Sequence, residues 1–381
     1  MLNHELEEIW FGGAGSASRA KSPRQPIASP RRRFLEFALI PLSYLFRAGV
    51  AARKFRFRTF DSAVERMPVP VIVVGNITVG GSGKTPLVIA LVEALRREGY
   101  TPGVVSRGYG GTATRSNSAV ESVDDSVGIG LDDPGHDASG DAADRYGDES
   151  VLIRSRTGAP VFIGRRRVEA ARALLIAHPE VDVLIADDGL QHYALARNFE
   201  IAVFDSRGAG NRRLLPAGPL REPLERLHEV DAIVLNGDDA VVPEIPGGAA
   251  PARPAYRMTL VAGDAYRVNN PGETRELQKF RGRRLTAAAG IGNPQRFFAL
   301  LRSTGLKFHR MPLDDHHRYR ENPFESRFSE AVLMTEKDAV KCRRFDEARM
   351  WAVPVSAEID PTLVAAILEH IGGSRKPSPP A

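Results

Sequence analysis

The sequence predicts an α/β fold: a parallel sheet flanked by helices, followed by a second, smaller α/β domain. Two observations carry that prediction. One is a strand, a glycine-rich loop and a helix in direct succession between residues 69 and 95. The other is the alternation of short β-branched runs with helical segments along the rest of the chain, the pattern of a sheet covered on both faces.

The first observation has the most specific chemistry. Val69-Pro70-Val71-Ile72-Val73-Val74-Gly75 has the β-branched, apolar composition of a buried strand. Asn76 to Thr85 follows as a glycine-rich turn ending in Gly83-Lys84-Thr85, and Pro86 to Leu95 carries apolar residues at helical spacing. This is the context of a phosphate-binding loop in a P-loop NTPase-like sheet. Glycines let backbone N–H groups turn inward around phosphate oxygens, and the new helix points its positive end at them. Lys84 adds a charge, and the Thr85 hydroxyl can ligate Mg²⁺. Thr78 stands where the usual pattern has glycine, so the loop is a variant in which Gly80 and Gly81 supply the flexibility. The predicted nucleotide-binding residues are Thr78, Gly80, Gly81, Ser82, Gly83, Lys84 and Thr85.

With 381 residues the chain has room for two domains with ample cores. A net charge of +5 favours acidic partners such as a nucleotide, a phosphorylated substrate or an anionic lipid. The single cysteine, Cys342, excludes an intrachain disulfide and fits a reducing compartment. No signal-peptide pattern is evident, because the chain is acidic and polar before Arg31. Neither a nucleic-acid partner nor an obligate protein partner is expected.

In chain order, residues 1–30 are rich in Gly, Ala, Ser and Pro and read as a flexible tail. Residues 31–58 open with Arg31-Arg32-Arg33, continue through Phe34 to Phe46, and end among Arg47, Arg53, Lys54, Arg56 and Arg58. The apolar stretch is too short, and too broken by Glu36 and Pro41, to span a bilayer. It suits a helix lying in a membrane interface or one packed on the protein's own core. Residues 59–250 form the P-loop domain. A second strand ends in Ser106-Arg107-Gly108-Tyr109-Gly110-Gly111, where Arg107 is either an anion contact or a solvated arginine in a glycine turn. Residues 112–146 have poor periodicity and read as a surface insertion without chemistry. Asp148 opens the next element as a candidate active-site carboxylate or a helix cap.

Pro160 to Gly164 reads as a strand, and Arg165 to Ala177 as a basic amphipathic helix. The apolar strand from Val181 ends in Asp187-Asp188-Gly189, the position from which a P-loop enzyme holds Mg²⁺ on its nucleotide. Gln191 and His192 follow at once, placed to face the same cleft. A loop-rich basic stretch, 208–226, contains Arg221 and Glu222, and Asp231 to Gly237 is a further strand and turn. The Pro/Gly/Ala-rich stretch from Pro243 to Pro254 marks a domain boundary, with a smaller α/β domain at 251–372 and a disordered tail at 373–381.

Taken together and in order, these motifs resemble the tetraacyldisaccharide 4'-kinase family of the lipid A pathway in Gram-negative bacteria. The resemblance rests on Val73 to Thr85, Ser106 to Gly111, Gly147-Asp148-Glu149, Asp187 to His192, Leu214 to Leu224, Ala289 to Pro294, Asp315-His316-His317 and Met334 to Asp338. The Thr78 variant is itself typical of that family. The chain departs from it in the long N-terminal tail, in the 112–146 insertion and in Ser150, where proline is expected. The resemblance implies a peripheral enzyme on the cytoplasmic face of the inner membrane, with its active site between two domains. It implies transfer of the γ-phosphate of ATP, with Mg²⁺, to the 4'-hydroxyl of a tetraacylated disaccharide 1-phosphate, giving lipid IVA. By resemblance Asp148 is the base, paired with His316, and Lys84 neutralises phosphate charge. Thr85, Asp187 and Asp188 hold Mg²⁺, while Arg107, Tyr109, Gln191, His192, Arg221 and Glu222 meet the lipid. Two other classes compete: a P-loop switch hydrolysing GTP, for which Thr335-Glu336-Lys337-Asp338 is only a rough guanine motif, and a cytosolic small-molecule kinase.

Overall fold

The computed structural model describes residues 2–12, 30–60, 63–108, 111, 129–131, 141–246, 253–326 and 328–372. A nine-stranded sheet is built around β1 (Val71–Gly75), whose five residues are all buried. β1 pairs in parallel with β5 (Val183–Asp187) on one side and β6 (Phe199–Asp205) on the other. β2 (Pro102–Ser106), β4 (Val161–Ile163) and the short β3 (Ile129–Gly130) extend the sheet beyond β5. β7 (Ala232–Asn236), β8 (Ala255–Ala262) and β15 (Val355–Ile359) extend it beyond β6. Because both faces are covered, the central strands read as unbroken apolar runs rather than alternating ones. On one face lie α3 (Lys84–Arg97), α5 (Asp148–Thr157) and α9 (Pro361–Ile371), packed through Leu87, Leu91, Ile153, Leu363 and Ile367. The other face is filled from α6 (Arg167–Ala177) and from Leu214, Leu220 and Leu227.

A six-stranded sheet has β11 (Leu285–Ala289) and β13 (Ala331–Thr335) at its centre, with β12 (His309–Pro312) and β14 (Met350–Val353) flanking them in parallel. β9 (Ala265–Arg267) and β10 (Asn270–Arg275) complete it as an antiparallel edge. Helices α7 (Pro294–Ser303) and α8 (Glu336–Cys342) leave the C-terminal ends of β11 and β13. The loops after β1, β2, β5, β6 and β7 therefore gather at one edge of the larger sheet, where α/β folds bind ligands.

Three expectations need correction. The sheets do not divide at residue 250/251. β8 pairs in parallel with β7, β15 pairs antiparallel with β8, and α9 packs against α3, so residues 255–262 and 355–371 belong with the larger sheet. The Pro/Gly-rich stretch joins two strands of one sheet and resembles a linker only in composition. Second, residues 2–11 are not a flexible tail: α1 (Leu2–Phe11) is a helix with Ile9 buried, and its Trp10 indole donates to the Pro216 carbonyl at 3.0 Å. Residues 13–29 lie outside the described residues. Third, part of the 112–146 segment joins the fold. β3 pairs with β4, and α4 (Asp141–Tyr146) buries Ala143 and Tyr146 against Ile163 and Val340. The other residues of that segment, apart from Leu131, and the 373–381 tail lie outside the described residues.

Residues Pro30–Thr59 form one helix, α2, with Pro41 inside it. It is fixed by Ser43 Oγ donating to the Leu214 carbonyl at 2.9 Å and by Lys54 and Arg58, each 2.6 Å from Glu229. Phe37, Leu42, Tyr44, Leu45 and Phe55 are each half or more exposed along it. Among the described residues no helix is long and apolar enough to cross a membrane.

Candidate active site

The phosphate loop is shaped from outside by three strand ends. Asn76, just beyond β1, donates to the Gly80 carbonyl at 3.2 Å. Arg207, just beyond β6, donates to the Gly81 carbonyl at 2.9 Å, and Asn236, at the end of β7, donates to the Ser82 carbonyl at 2.7 Å. With these carbonyls occupied by side-chain donors, the loop's N–H groups remain for an anion. Gly83 has φ +97°, and a Cβ there would collide with the Asn236 amide, so glycine is required twice over. Thr78 is held differently from the rest. It bridges Leu220, while Val79 N–H donates to the Pro219 carbonyl at 2.8 Å and Arg221 N–H to the Ile77 carbonyl at 2.7 Å. The first half of the loop is thus stitched to residues 219–221.

Lys84, the first residue of α3, reaches Asn76 Oδ1 at 3.1 Å and Asp188 Oδ1 at 3.5 Å. Arg221 grips the same carboxylate at 3.1 and 2.9 Å. Burial opposes the charge on Asp188, but Lys84 and Arg221 hold its carboxyl well below the usual carboxylate range. Asp187 is the opposite case. It is buried, its Oδ2 accepts from Ser106 Oγ at 3.4 Å, and its Oδ1 has no hydrogen-bond partner among the described residues. Burial, with Glu149 and Asp188 as negative neighbours, pushes it up to about 7.

A carboxylate oxygen without a partner, on a group whose ionisation is opposed by burial and by Glu149 and Asp188 despite Lys84 and Arg167, fits a divalent cation. The Ser82 hydroxyl is likewise buried without a partner among the described residues, and Thr85 is buried too. Among the described residues no three His, Cys, Asp or Glu side chains are grouped as a metal cage. Mg²⁺ does not need one, because it is held by one or two carboxylates together with phosphate and water. These residues fit Mg²⁺ on a bound nucleotide.

The smaller sheet supplies the other wall. His316 Nδ1 lies 3.0 Å from both Asp148 oxygens, and Lys341 Nζ lies 3.1 Å from Oδ2. Asp148 is the first residue of α5, not its cap, and its Oδ1 also accepts the Glu149 N–H at 2.9 Å. Burial works against its charge, yet the His316 hydrogen bond, Lys337 and Lys341 keep the carboxyl far below its ordinary value. In turn, burial opposes protonation of His316, and the Asp148 hydrogen bond and charge overcome it, raising the imidazole. Lys337 pairs with Glu149, which lies within electrostatic reach of Lys84. Asp338, fully buried, accepts from Gly290 N–H at 2.9 Å and from the Thr335 hydroxyl at 2.6 Å, tying α8 to the turn after β11. That turn meets the phosphate loop: a Cβ on Gly292 would lie 2.7 Å from the Gly81 nitrogen.

The model of the tetraacyldisaccharide-1-phosphate 4'-kinase family matches residues 35–372 of this chain. The chain belongs to that family. A tetraacyldisaccharide 4'-kinase of Janthinobacterium sp. (strain Marseille) is 47% identical over 345 residues, covering 88% of this chain and 92% of the relative. One of Azoarcus sp. (strain BH72) is 46% identical over 364 residues, covering 95% and 100%. Among solved structures, the LpxK of Aquifex aeolicus in complex with ATP superposes with a TM-score of 0.68 at 26% identity, covering 88% of this chain and 99% of that one.

Within this kinase family fold, the residues expected at the lipid occupy different settings. Gln191 Nε2 donates to Glu222 Oε1 at 2.7 Å and to the Asn76 carbonyl at 3.1 Å. Glu222 is buried and also takes the Tyr193 hydroxyl and, at 3.4 Å, Arg226, so it braces Gln191 from beneath. Arg221 is committed to Asp188 in this state. His192 is part-buried, and burial together with Arg167, Arg53 and Arg107 lowers it to about 3, which makes it a neutral donor or acceptor. Arg107 is exposed, and Tyr109 lies outside the described residues. Asn76, Arg207, Asn236, Lys337 and Lys341 took no part in the site read from the sequence. Lys337 and Lys341 were open to detection, since their spacing puts both on one face of a helix.

Proposed function

We propose that the cleft between the two sheets transfers the γ-phosphoryl group of ATP to the 4'-hydroxyl of a tetraacyldisaccharide 1-phosphate, giving lipid IVA at a membrane surface. The family match carries the reaction and substrate class. The observation that most supports the chemistry is Asp148 held ionised by His316, Lys337 and Lys341 where the smaller unit meets the larger one.

A sugar hydroxyl is a weak nucleophile near neutral pH. Its oxygen forms the new bond to the γ-phosphorus as the bond to the β-phosphate oxygen breaks, and its proton passes to the Asp148 carboxylate. Phosphoryl transfer has a loose transition state with late demand for a base, so a carboxylate that is always ionised and correctly placed serves it. His316 orients that carboxylate through both oxygens. Lys84 offsets charge on the β- and γ-phosphates. Thr85, Asp187 and Asp188 would hold Mg²⁺, with the orphaned Asp187 Oδ1 as the foremost ligand. When bound, Mg²⁺ supplies charge neutralisation across the transferring phosphates. His192 and Arg107 would face the lipid headgroup, and Gln191 would do so from its Glu222 support.

The exposed apolar residues and basic clusters of α2 support a peripheral position on an anionic membrane face. Mass spectrometry of the lipid after incubation with ATP tests the reading. It should gain one phosphate, and fragmentation should place that phosphate on the distal sugar. ATP hydrolysis that is indifferent to the lipid would contradict it.

A further inference from the structure

Residues 205–221 touch both the phosphate loop and α1. One side of this segment is stitched to the phosphate loop through Arg207 on the Gly81 carbonyl, Pro219 on Val79 and Arg221 on Ile77. The other side carries α1. Asn211 N–H donates to the Trp10 carbonyl at 2.8 Å and Asn211 Nδ2 to the Ile9 carbonyl at 3.4 Å, occupying carbonyls at the end of that helix. Pro216 receives the Trp10 indole, and a side chain at Gly210 would collide with the Trp10 carbonyl.

Arg207 is the shared part. Its guanidinium lies 5.0 Å from the centre of the Phe11 ring, is paired with Asp205 at 2.8 Å, and donates to Gly81. Asp205 alone can satisfy only one edge of that guanidinium. The Phe11 face covers it and limits the directions its remaining N–H groups can take.

We propose that docking of α1 positions the phosphate loop: Phe11 stacked on Arg207 holds the Gly81 carbonyl outward, so nucleotide affinity depends on a helix that touches no nucleotide. Coupling of this kind is reciprocal, so nucleotide binding in turn steadies α1 on the 205–221 segment. The proposal rests on the reading of residues 78–85 as the ATP phosphate site.

The test is a double-mutant cycle on full-length, detergent-solubilised protein free of lipid, titrated with ATPγS and Mg²⁺ in a calorimeter. Phe11→Ala should weaken binding by about two- to fivefold, the range of a single cation–π contact. Arg207→Met should weaken it by about tenfold, the scale of a lost charged hydrogen bond. The double variant should bind no more weakly than Arg207→Met. Thermal unfolding of each variant reports its fold. If Phe11→Ala does not fold, Phe11→Leu keeps apolar bulk, loses the ring face and is expected to show the same loss. Wild-type affinity in the Phe11 variant, or losses that multiply in the double variant, would overturn the coupling. Failure of the wild-type protein to bind ATPγS would instead overturn the nucleotide reading beneath it.

Discussion

His316 Nδ1 stands 3.0 Å from each carboxylate oxygen of Asp148, with Asp148 opening α5 beside the larger sheet and His316 in the turn after β12 of the smaller one. The pair is a charged clasp between the larger and the smaller unit, and its strength depends on pH. His316 is raised above its ordinary 6.5, so its contribution is complete below that value and is lost as pH rises through the raised one. Asp148 is depressed, so its contribution is present above the ordinary carboxylate value of 3.8 and is lost only as pH falls toward the depressed one. The melting temperature of wild type minus that of His316→Gln should therefore be largest below the ordinary 6.5 of His316 and shrink as pH rises through its raised value. A difference that stays constant across that range would exclude the charged clasp.

Asp148→Asn keeps the shape of the side chain and removes the proton acceptor. Turnover with lipid should fall by about 10²-fold or more, while KM for ATP stays within about twofold, because a general base acts on the acceptor hydroxyl and not on nucleotide binding. Because the change also weakens the buried pair with Lys341, a melting curve must accompany the kinetics. Near-normal turnover in a folded variant would remove Asp148 from the reaction.

Gly292→Ala tests the closure between units. Gly292 does not have a positive φ, so alanine is acceptable to its local backbone, but the new Cβ would sit 2.7 Å from the Gly81 nitrogen and 3.2 Å from Asp315 Oδ2. The smaller unit must then stand off from the phosphate loop. A displacement of this size should lower kcat by about 10- to 100-fold with little change in melting temperature. Wild-type kcat would show that the approach of the two turns is not needed for turnover.

Leu45 on α2 is 69% exposed, beside Arg47. Leu45→Glu places a charge where an acyl boundary would lie, and co-sedimentation with vesicles containing anionic lipid should drop several-fold. Equal partition of variant and wild type would mean that this face of the helix does not meet the membrane.

The sheet around β1 was legible because a strand buried on both faces must be apolar throughout, and the glycine loop and helix after it follow from the same local rules. β8 and β15 were assigned to the wrong unit because pairing partners are not encoded in local composition. Leu363 and Ile367 of α9 show which face they fill only once the sheet exists. The Asp148–His316 pair spans 168 residues, and no spacing rule reaches that far, so only the family resemblance brought the two together. Glu222 was expected at the lipid, but its position beneath Gln191, with the Tyr193 hydroxyl and Arg226, comes from burial that a single sequence does not display. Nothing in the local sequence marks Arg207, and its meaning comes from Phe11 and Gly81, nearly two hundred and more than one hundred residues away.

The measurement that bears most directly on the account is transfer of label from γ-labelled ATP to purified tetraacyldisaccharide 1-phosphate in detergent micelles, with and without Mg²⁺, for wild type and Asp187→Asn. The account predicts a labelled lipid that requires Mg²⁺, with the variant needing far more Mg²⁺ or failing outright. No labelled lipid from folded, ATP-binding wild-type protein would contradict it.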